Sequence, residues 1–316
     1  MNQRTCAQCS FRIARDPGAI APERLAAKQR FPILWRIATA KRFIVYVMGQ
    51  VSHFAHQPSW PLRRYVREIL WVRSEHHRVQ VLLPETTLTL VLRQSGAVSL
   101  RGETLPSAIV SGLQQRTRMV EHAPNSSLVI VRFTEVGAPA ILHERVDLLY
   151  NRTESLMDLL PRQGVDDIQN VLAETGEIRQ QVSVVEDFLS NRICAQNRIG
   201  RRSISPQIEA AVQMIRRSNG QSSIQAIARH AAMSQSALER HFRLTVGTTP
   251  KNLSRLTRLQ HICRLWDIGK NLTQIAFDAG YTDQPHLVRD FRLFTDMSPE
   301  SFFRSASPRN LPTFYK

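Results

Sequence analysis

The 316-residue sequence predicts an α+β multidomain chain: a β-rich part comes first, and an all-helical part made of one unit used twice comes last. Three observations carry that expectation. The hydrophobic spacing changes along the chain from short runs between turn residues to a three-and-four periodicity. A stretch of the last third repeats at an offset of 48, from Ile224 to Leu272. The charge is unevenly spread, with a nearly neutral middle between two basic ends.

Overall, 42 Lys and Arg stand against 26 Asp and Glu, a net charge of +16, which makes polyanions the expected partners. Residues 1–47 carry 9 basic and 2 acidic side chains, residues 48–204 carry 18 and 16, and residues 205–316 carry 15 and 8. The first segment is expected to be a basic, disordered extension reflecting an upstream start. The alternative is a basic arm that adds salt-sensitive, non-specific affinity for nucleic acid. Four cysteines, Cys6, Cys9, Cys194 and Cys263, are too few and too scattered for a disulfide framework, so a reducing cytoplasm is expected. The most apolar early stretch, Phe31 to Met48, is broken by Arg36, Lys41 and Arg42, and no run reaches the ~20 residues of a spanning helix. No membrane association is expected.

Residues 48–197 form the expected middle domain. Apolar runs at Leu62–Val72, Val79–Leu83, Leu88–Leu92, Ala97–Leu100, Ala108–Val110 and Leu128–Phe133 read as strands. Pro84, Gly96, Gly102, Pro106 and the Pro124-Asn125-Ser126-Ser127 turn separate them at the spacing of a sandwich or barrel. From Val146 to Asn197 the spacing becomes helical, as in Val182, Val185, Leu189 and Ile193. A short basic linker is expected over 198–204, because Ser205-Pro206 reads as an N-cap followed by proline at the first helical position. A helical domain over 205–305 and a tail over 306–316 complete the chain.

The repeat gives the helical domain its meaning. Ile224-x-x-Ile227-Ala228-x-x-Ala231-Ala232-Met233-Ser234 is matched by Leu272-x-x-Ile275-Ala276-x-x-Ala279-Gly280-Tyr281-Thr282. After one inserted residue, Leu238-x-Arg240-x-Phe242-Arg243-Leu244 is matched by Leu287-x-Arg289-x-Phe291-Arg292-Leu293, and Pro250 by Pro299. Each unit makes sense as a helix-turn-helix. Ala228 or Ala276 lets two helices cross closely, and Ala232 or Gly280 makes the turn. Ser234 in one unit, and Thr282 or Asp283 in the other, caps a second helix. That helix buries Leu238 and Phe242, or Leu287 and Phe291, and leaves a polar, basic face that fits a major groove. Pro250 to Trp266 reads as one amphipathic helix, with Leu253, Leu256, Leu259, Ile262, Cys263 and Trp266 on its apolar stripe. It can hold two readers in successive groove segments, about one duplex turn or ~34 Å apart.

These residues resemble the AraC/XylS family of bacterial transcription regulators. The second unit carries the family pattern from Ile275-Ala276 through Gly280-Tyr281-Thr282-Asp283-Gln284 to Arg289-Asp290-Phe291-Arg292, and the match runs from about Ser205 to Ser305. Three departures stand out: Leu287 replaces the usual aromatic, Ala232 the usual turn glycine, and Pro285 enters the second reader helix. Pro84-Glu85, Ala108 to Gly112, Val131-Arg132-Phe133 and Gly137 to Ala140 are similar to an uncharacterised N-terminal domain of some members. That resemblance implies a β-rich, cupin-like sensing or oligomerisation domain.

The resemblance implies a regulator of promoter DNA, usually an activator that works with RNA polymerase. A small-molecule effector and a homodimer are both left open, and no cofactor or catalytic residue is expected. Position within the motif points to Gln235, Ser236, Glu239 and Arg240 on the first reader and Gln284, His286 and Arg289 on the second as base contacts. Arginine can grip guanine bidentately and glutamine can pair with adenine. Arg243 and Arg292 are expected at phosphates or with stems packed on the core, as are Lys251 and Arg255. For each, the plain alternative is a solvated helix side chain.

Cys6-x-x-Cys9 invites a zinc site, but a structural site needs four ligands and no second pair follows. The same pair is similar to the start of Ada-like alkylation-response proteins, in which a zinc-bound thiolate accepts a methyl group; that is the rival enzyme reading. His53-x-x-His56 and His76-His77 could be cupin-type ligands, yet no acidic partner lies at a recognisable spacing. No metal is expected.

Overall fold

The computed structural model describes residues 43–48, 51–142, 145–198, 204–267 and 269–305. Eleven strands and eleven α-helices occur among them. The extension before residue 43, most of the expected linker and the tail after 305 lie outside the described residues.

The β-domain begins with a hairpin, β1 (Phe43–Met48) and β2 (Val51–His56). The boundary placed at 47/48 therefore falls inside a paired strand. A run of consecutive β-formers, F-I-V-Y-V-M, pairs residue for residue with β2 and extends the sheet. The strands that follow are β3 (Val66–Ser74), β4 (Arg78–Leu82), β5 (Thr89–Ser95), β6 (Val98–Leu100), β7 (Glu103–Thr104), β8 (Ala108–Ser111), β9 (Arg118–His122), β10 (Ser126–Phe133) and β11 (Thr153–Ser155).

They make two sheets, a seven-stranded one ordered β1-β2-β3-β10-β5-β8-β11 and a four-stranded one ordered β4-β9-β6-β7. Strand β10 shows how one strand serves two cores. Its odd positions, Val129, Val131 and Phe133, enter the main core, while Leu128 and Ile130 face the small sheet and meet Val98 and Val120. That division is the two-residue period of a strand.

The run Leu62–Val72 is not one strand. The amides of Leu62, Arg63 and Tyr65 donate to the nearby carbonyls of Ser59, Trp60 and Leu62 in and after the 3-10 turn Trp60–Leu62, so β3 starts only at Val66. The segment Val146 to Asn197 is also not wholly helical. A 3-10 turn (Val146–Leu149) and β11 come before its longer helices.

The helices are α1 (Pro139–Leu142), α2 (Leu156–Leu159), α3 (Arg162–Glu174), α4 (Ile178–Arg198), α5 (Pro206–Arg217), α6 (Ile224–His230), α7 (Gln235–Val246), α8 (Pro250–Asp267), α9 (Leu272–Asp278), α10 (Gln284–Thr295) and α11 (Pro299–Ser305). In α4, Val182, Val185, Leu189 and Ile193 are buried, as their spacing requires. One continuous core joins the β-domain to the helical domain.

Candidate nucleic-acid interface

Each duplicated unit folds as a helix-turn-helix. In the first, α6 is capped by Ser223, whose hydroxyl accepts from the Ala226 amide, and α7 by Ser234, which accepts from Ala237. In the second, Asn271 and Gln274 form a reciprocal capping box on α9, and Asp283 caps α10 by accepting from the His286 amide at 2.7 Å. Asp283 is therefore the cap, and Thr282 instead places its hydroxyl 3.3 Å from His286 Nδ1.

The turns hold Ala232 at φ 50° and Gly280 at φ 74°, both in the left-handed region. Glycine occupies that region without strain, and alanine occupies it at a cost. Pro285 is in the first turn of α10, where its missing N–H leaves no helical bond unmade.

The buried faces are those expected. Leu238, Phe242 and Leu287 are fully buried and Phe291 is 1% exposed, and the small Ala228 and Ala276 are buried with them. The 18-residue helix α8, about 27 Å long at ~1.5 Å per residue, joins the units. Leu253, Leu256, Leu259, Ile262 and Cys263 are buried along it, and Trp266 stacks on Phe303 with centroids 4.6 Å apart.

On α7, Gln235, Ser236, Arg240 and Arg243 are exposed and Glu239 is half-exposed. The Gln235 amide donates to the Glu239 carboxylate at 3.4 Å, and Arg240 lies 3.4 Å from His241. On α10, His286, Arg289 and Arg292 are exposed and Gln284 is half-exposed, its carbonyl accepting from the Thr273 hydroxyl at 3.3 Å. The His286 ring meets Tyr281 edge-on at 5.1 Å. Among the described residues, Arg240, Arg243, Arg289 and Arg292 have no carboxylate within ion-pair distance. Their charge is open to an external anion.

Two roles are expected for Arg255, a phosphate contact or a stem packed on the core, and the contacts seen are internal to the module. Its Nε and Nη2 donate to Asp290 Oδ1 at 3.0 and 2.6 Å, and its guanidinium lies 5.0 Å from the Phe294 ring centroid. Asp290 Oδ2 accepts from the Tyr281 hydroxyl at 2.7 Å, and Arg258 lies 5.0 Å from the Tyr281 ring centroid. Burial, then the Asp290 charge, push the Tyr281 hydroxyl well above the usual phenol range. Asp290 belongs to the motif, but its role depends on Arg255, a partner 35 residues away, which no local pattern reveals.

The β-domain grips the module at several points. The Thr117 amide donates to the Phe294 carbonyl at 2.8 Å, and Arg116 pairs with Asp296 at 2.9 Å, both at the C-terminal end of α10. Helix α7 ends at Gly247, φ 84°, where a Cβ would stand 2.9 Å from the Val146 carbonyl oxygen. Arg64 pairs with Glu209 at 3.0 Å. Gln260 of α8 donates to Glu85 at 3.2 Å.

Of the histidines weighed as ligands, His56 pairs with Glu186 at 3.1 Å, an acidic partner 130 residues away. His53 lines a cavity between the sheets. Among the described residues no three His, Cys, Asp or Glu gather as a metal site; Cys6 and Cys9 lie outside them. No described helix is long and apolar enough to cross a membrane.

Two helix-turn-helix units on one shared helix, with open basic faces, define a DNA-binding module. Residues 227–305 match the helix-turn-helix domain family model. Residues 227–305 are thus a helix-turn-helix DNA-binding domain, and a β-rich part precedes them in the chain.

Similar solved structures include ToxT from Vibrio cholerae, at 12% identity and TM-score 0.41, over 73% of this chain and 95% of that one. Another is the C-terminal domain of AraT, a response regulator from Geobacillus stearothermophilus, at 20% identity and TM-score 0.31, over 36% of this chain and 94% of that one. KdgF from a Halomonas species is similar at 17% identity and TM-score 0.23, over 30% of this chain and 94% of that one. No curated protein sequence matches the chain.

Proposed function

We propose that this chain is a cytoplasmic regulator that binds promoter DNA sequence-specifically, placing α7 and α10 in successive major-groove segments, and that it activates transcription in concert with RNA polymerase. The observation that carries this reading is the pairing of two capped helices whose exposed faces each hold two arginines open to an external anion, joined by one rigid helix. Gln235, Ser236, Glu239, Arg240, Gln284, His286 and Arg289 touch bases, and Arg243 and Arg292 touch phosphates. The β-domain takes a small-molecule effector and, through its contacts with α8 and with the C-terminal ends of α7 and α10, changes how often both readers engage DNA. The reading requires no catalytic step.

The test is binding of the full-length protein to fragments of its own promoter region over a salt series. A fragment preferred by at least ~1000-fold over random DNA supports sequence-specific reading. Equal binding to all fragments, with only a salt slope, would replace it with non-specific association.

A further inference from the structure

The two sheets of the β-domain enclose a cavity of about 160 Å³. Its wall is mostly aliphatic, with Leu82, Val91, Leu100, Val120 and Ile130 among its lining residues. At ~10–15 Å³ for each small group, the space holds roughly ten to fifteen non-hydrogen atoms. Three arginines reach it. Arg118 donates to Thr153 Oγ1 and to Ser111 Oγ, both at 2.9 Å. Arg132 is held between Glu68 at 2.5 Å and Glu85 at 2.8 Å.

Arg78 differs from both. Among the described residues it has no hydrogen bond or ion pair, and its Nε is buried without an acceptor. Glu85, on the same wall, is paired with Arg132, and a half-buried cation with no carboxylate at ion-pair distance is costly unless something else supplies a counter-charge. Its neighbours do not. His122 pairs with Arg78 in register across β4 and β9, and His53 lies close enough to feel the same positive charge. Burial first, and the Arg78 charge second, push the His122 ring down to about 4 and the His53 ring below its usual value, so both are neutral N–H donors or acceptors at pH 7.

We propose that this cavity binds a small monoanionic amphiphile, its carboxylate on the Arg78 guanidinium and its apolar body along Leu82, Val91, Val120 and Ile130. The assignment rests on the reading of the β-domain as the effector domain, and it names the ligand class. A neutral ligand would leave Arg78 unpaired, and a cation would be repelled. A dianion would bring more charge than the one open arginine can match.

The test uses the full-length protein without DNA, titrated calorimetrically with octanoate, octan-1-ol and octylamine at neutral pH. Octanoate should bind, with the alcohol and the amine at least about tenfold weaker, as expected for loss of a charge-assisted hydrogen bond. R78Q should lose at least about tenfold in octanoate affinity, and R78K should keep part of it, with thermal melts checking that each variant is folded. The head-group series on the wild-type protein decides the matter even if R78Q fails to fold. Octanoate binding no tighter than octan-1-ol overturns the proposal. So does a folded R78Q that binds octanoate normally, or the absence of binding by hexanoate, octanoate and decanoate at about 1 mM. Promoter selectivity, measured separately, is untouched by these outcomes; octanoate binding without promoter selectivity would sink the regulator reading alone.

Discussion

Glu85, on the wall of the β-domain cavity, accepts a hydrogen bond from Gln260, on the helix that joins both readers, at 3.2 Å. The same carboxylate oxygen accepts from Arg132 Nη2 at 2.8 Å. Arg132 is 6% exposed, so its charge depends on Glu85 and Glu68 together. Glu85→Ala should cost about 2–4 kcal/mol by leaving a buried guanidinium half-paired. Gln260→Ala should cost no more than ~1 kcal/mol. Chemical denaturation of the single and double variants checks this, and equal costs for the two would contradict the picture of Arg132 as the main dependant.

Arg240→Ala and Arg289→Ala should each remove about 1–3 kcal/mol of discrimination at one base position. Arg243→Ala and Arg292→Ala should instead weaken all sequences alike and lower the salt slope by about one each. Binding to a panel of single-base operator variants separates the two pairs. If all four substitutions behaved alike, base and phosphate roles would have to be reassigned.

Asp290→Ala should destabilise the second unit by about 2–4 kcal/mol, because Arg255 and the Tyr281 hydroxyl both lose their acceptor. Asp290→Asn keeps one acceptor and should cost less. Urea midpoints order the two, and a neutral Asp290→Ala would remove this network from the account of stability.

Ala232 holds a left-handed backbone at φ 50° on an exposed turn. Replacing it with glycine relieves ~1–2 kcal/mol of strain against ~0.4–1 kcal/mol of added unfolded-state entropy, so Ala232→Gly should stabilise by about 0.5–1 kcal/mol. Gly280→Ala should do the opposite, since φ is 74° and a Cβ would lie 2.7 Å from the Gln221 side chain. Thermal melts read both, and a destabilised Ala232→Gly would show that the turn pays no strain.

His122 is 7% exposed and held at about 4, below its ordinary value of 6.5. Between those values the unfolded chain binds the proton and the folded chain does not, so stability rises with pH across this window. It should be complete above pH 6.5 and fall by up to about 3 kcal/mol as the pH drops toward 4. His122→Gln should flatten part of that fall in denaturation curves taken from pH 4 to 7, and an unchanged pH profile would acquit His122.

The helical module was legible because its signals are local. The small residues, the capping side chains and the buried Leu and Phe positions all lie within one short repeat, from Ser223 to Phe242 and from Asn271 to Phe291. The β-domain was legible only where a strand is apolar. Strand β9, R-M-V-E-H, has one residue in the small core, Val120, and β11 is the polar triplet Thr153–Ser155, so neither stood out. Roles set by distant partners could not be seen at all. No local pattern leads from Arg255 to Asp290, or places Arg78 on a cavity wall beside His122 and His53.

Both readers are held by the β-domain at the ends opposite their expected base contacts: α10 by Thr117 and Arg116 at Phe294 and Asp296, α7 by the close approach of Gly247 to Val146. The grip is on the handle, and the cutting edge is left alone. A shift in the β-domain would thus re-aim the two helices without altering the chemical alphabet either one recognises. What such a protein would retune is the tolerated spacing between half-sites, while the letters within each half-site stay the same.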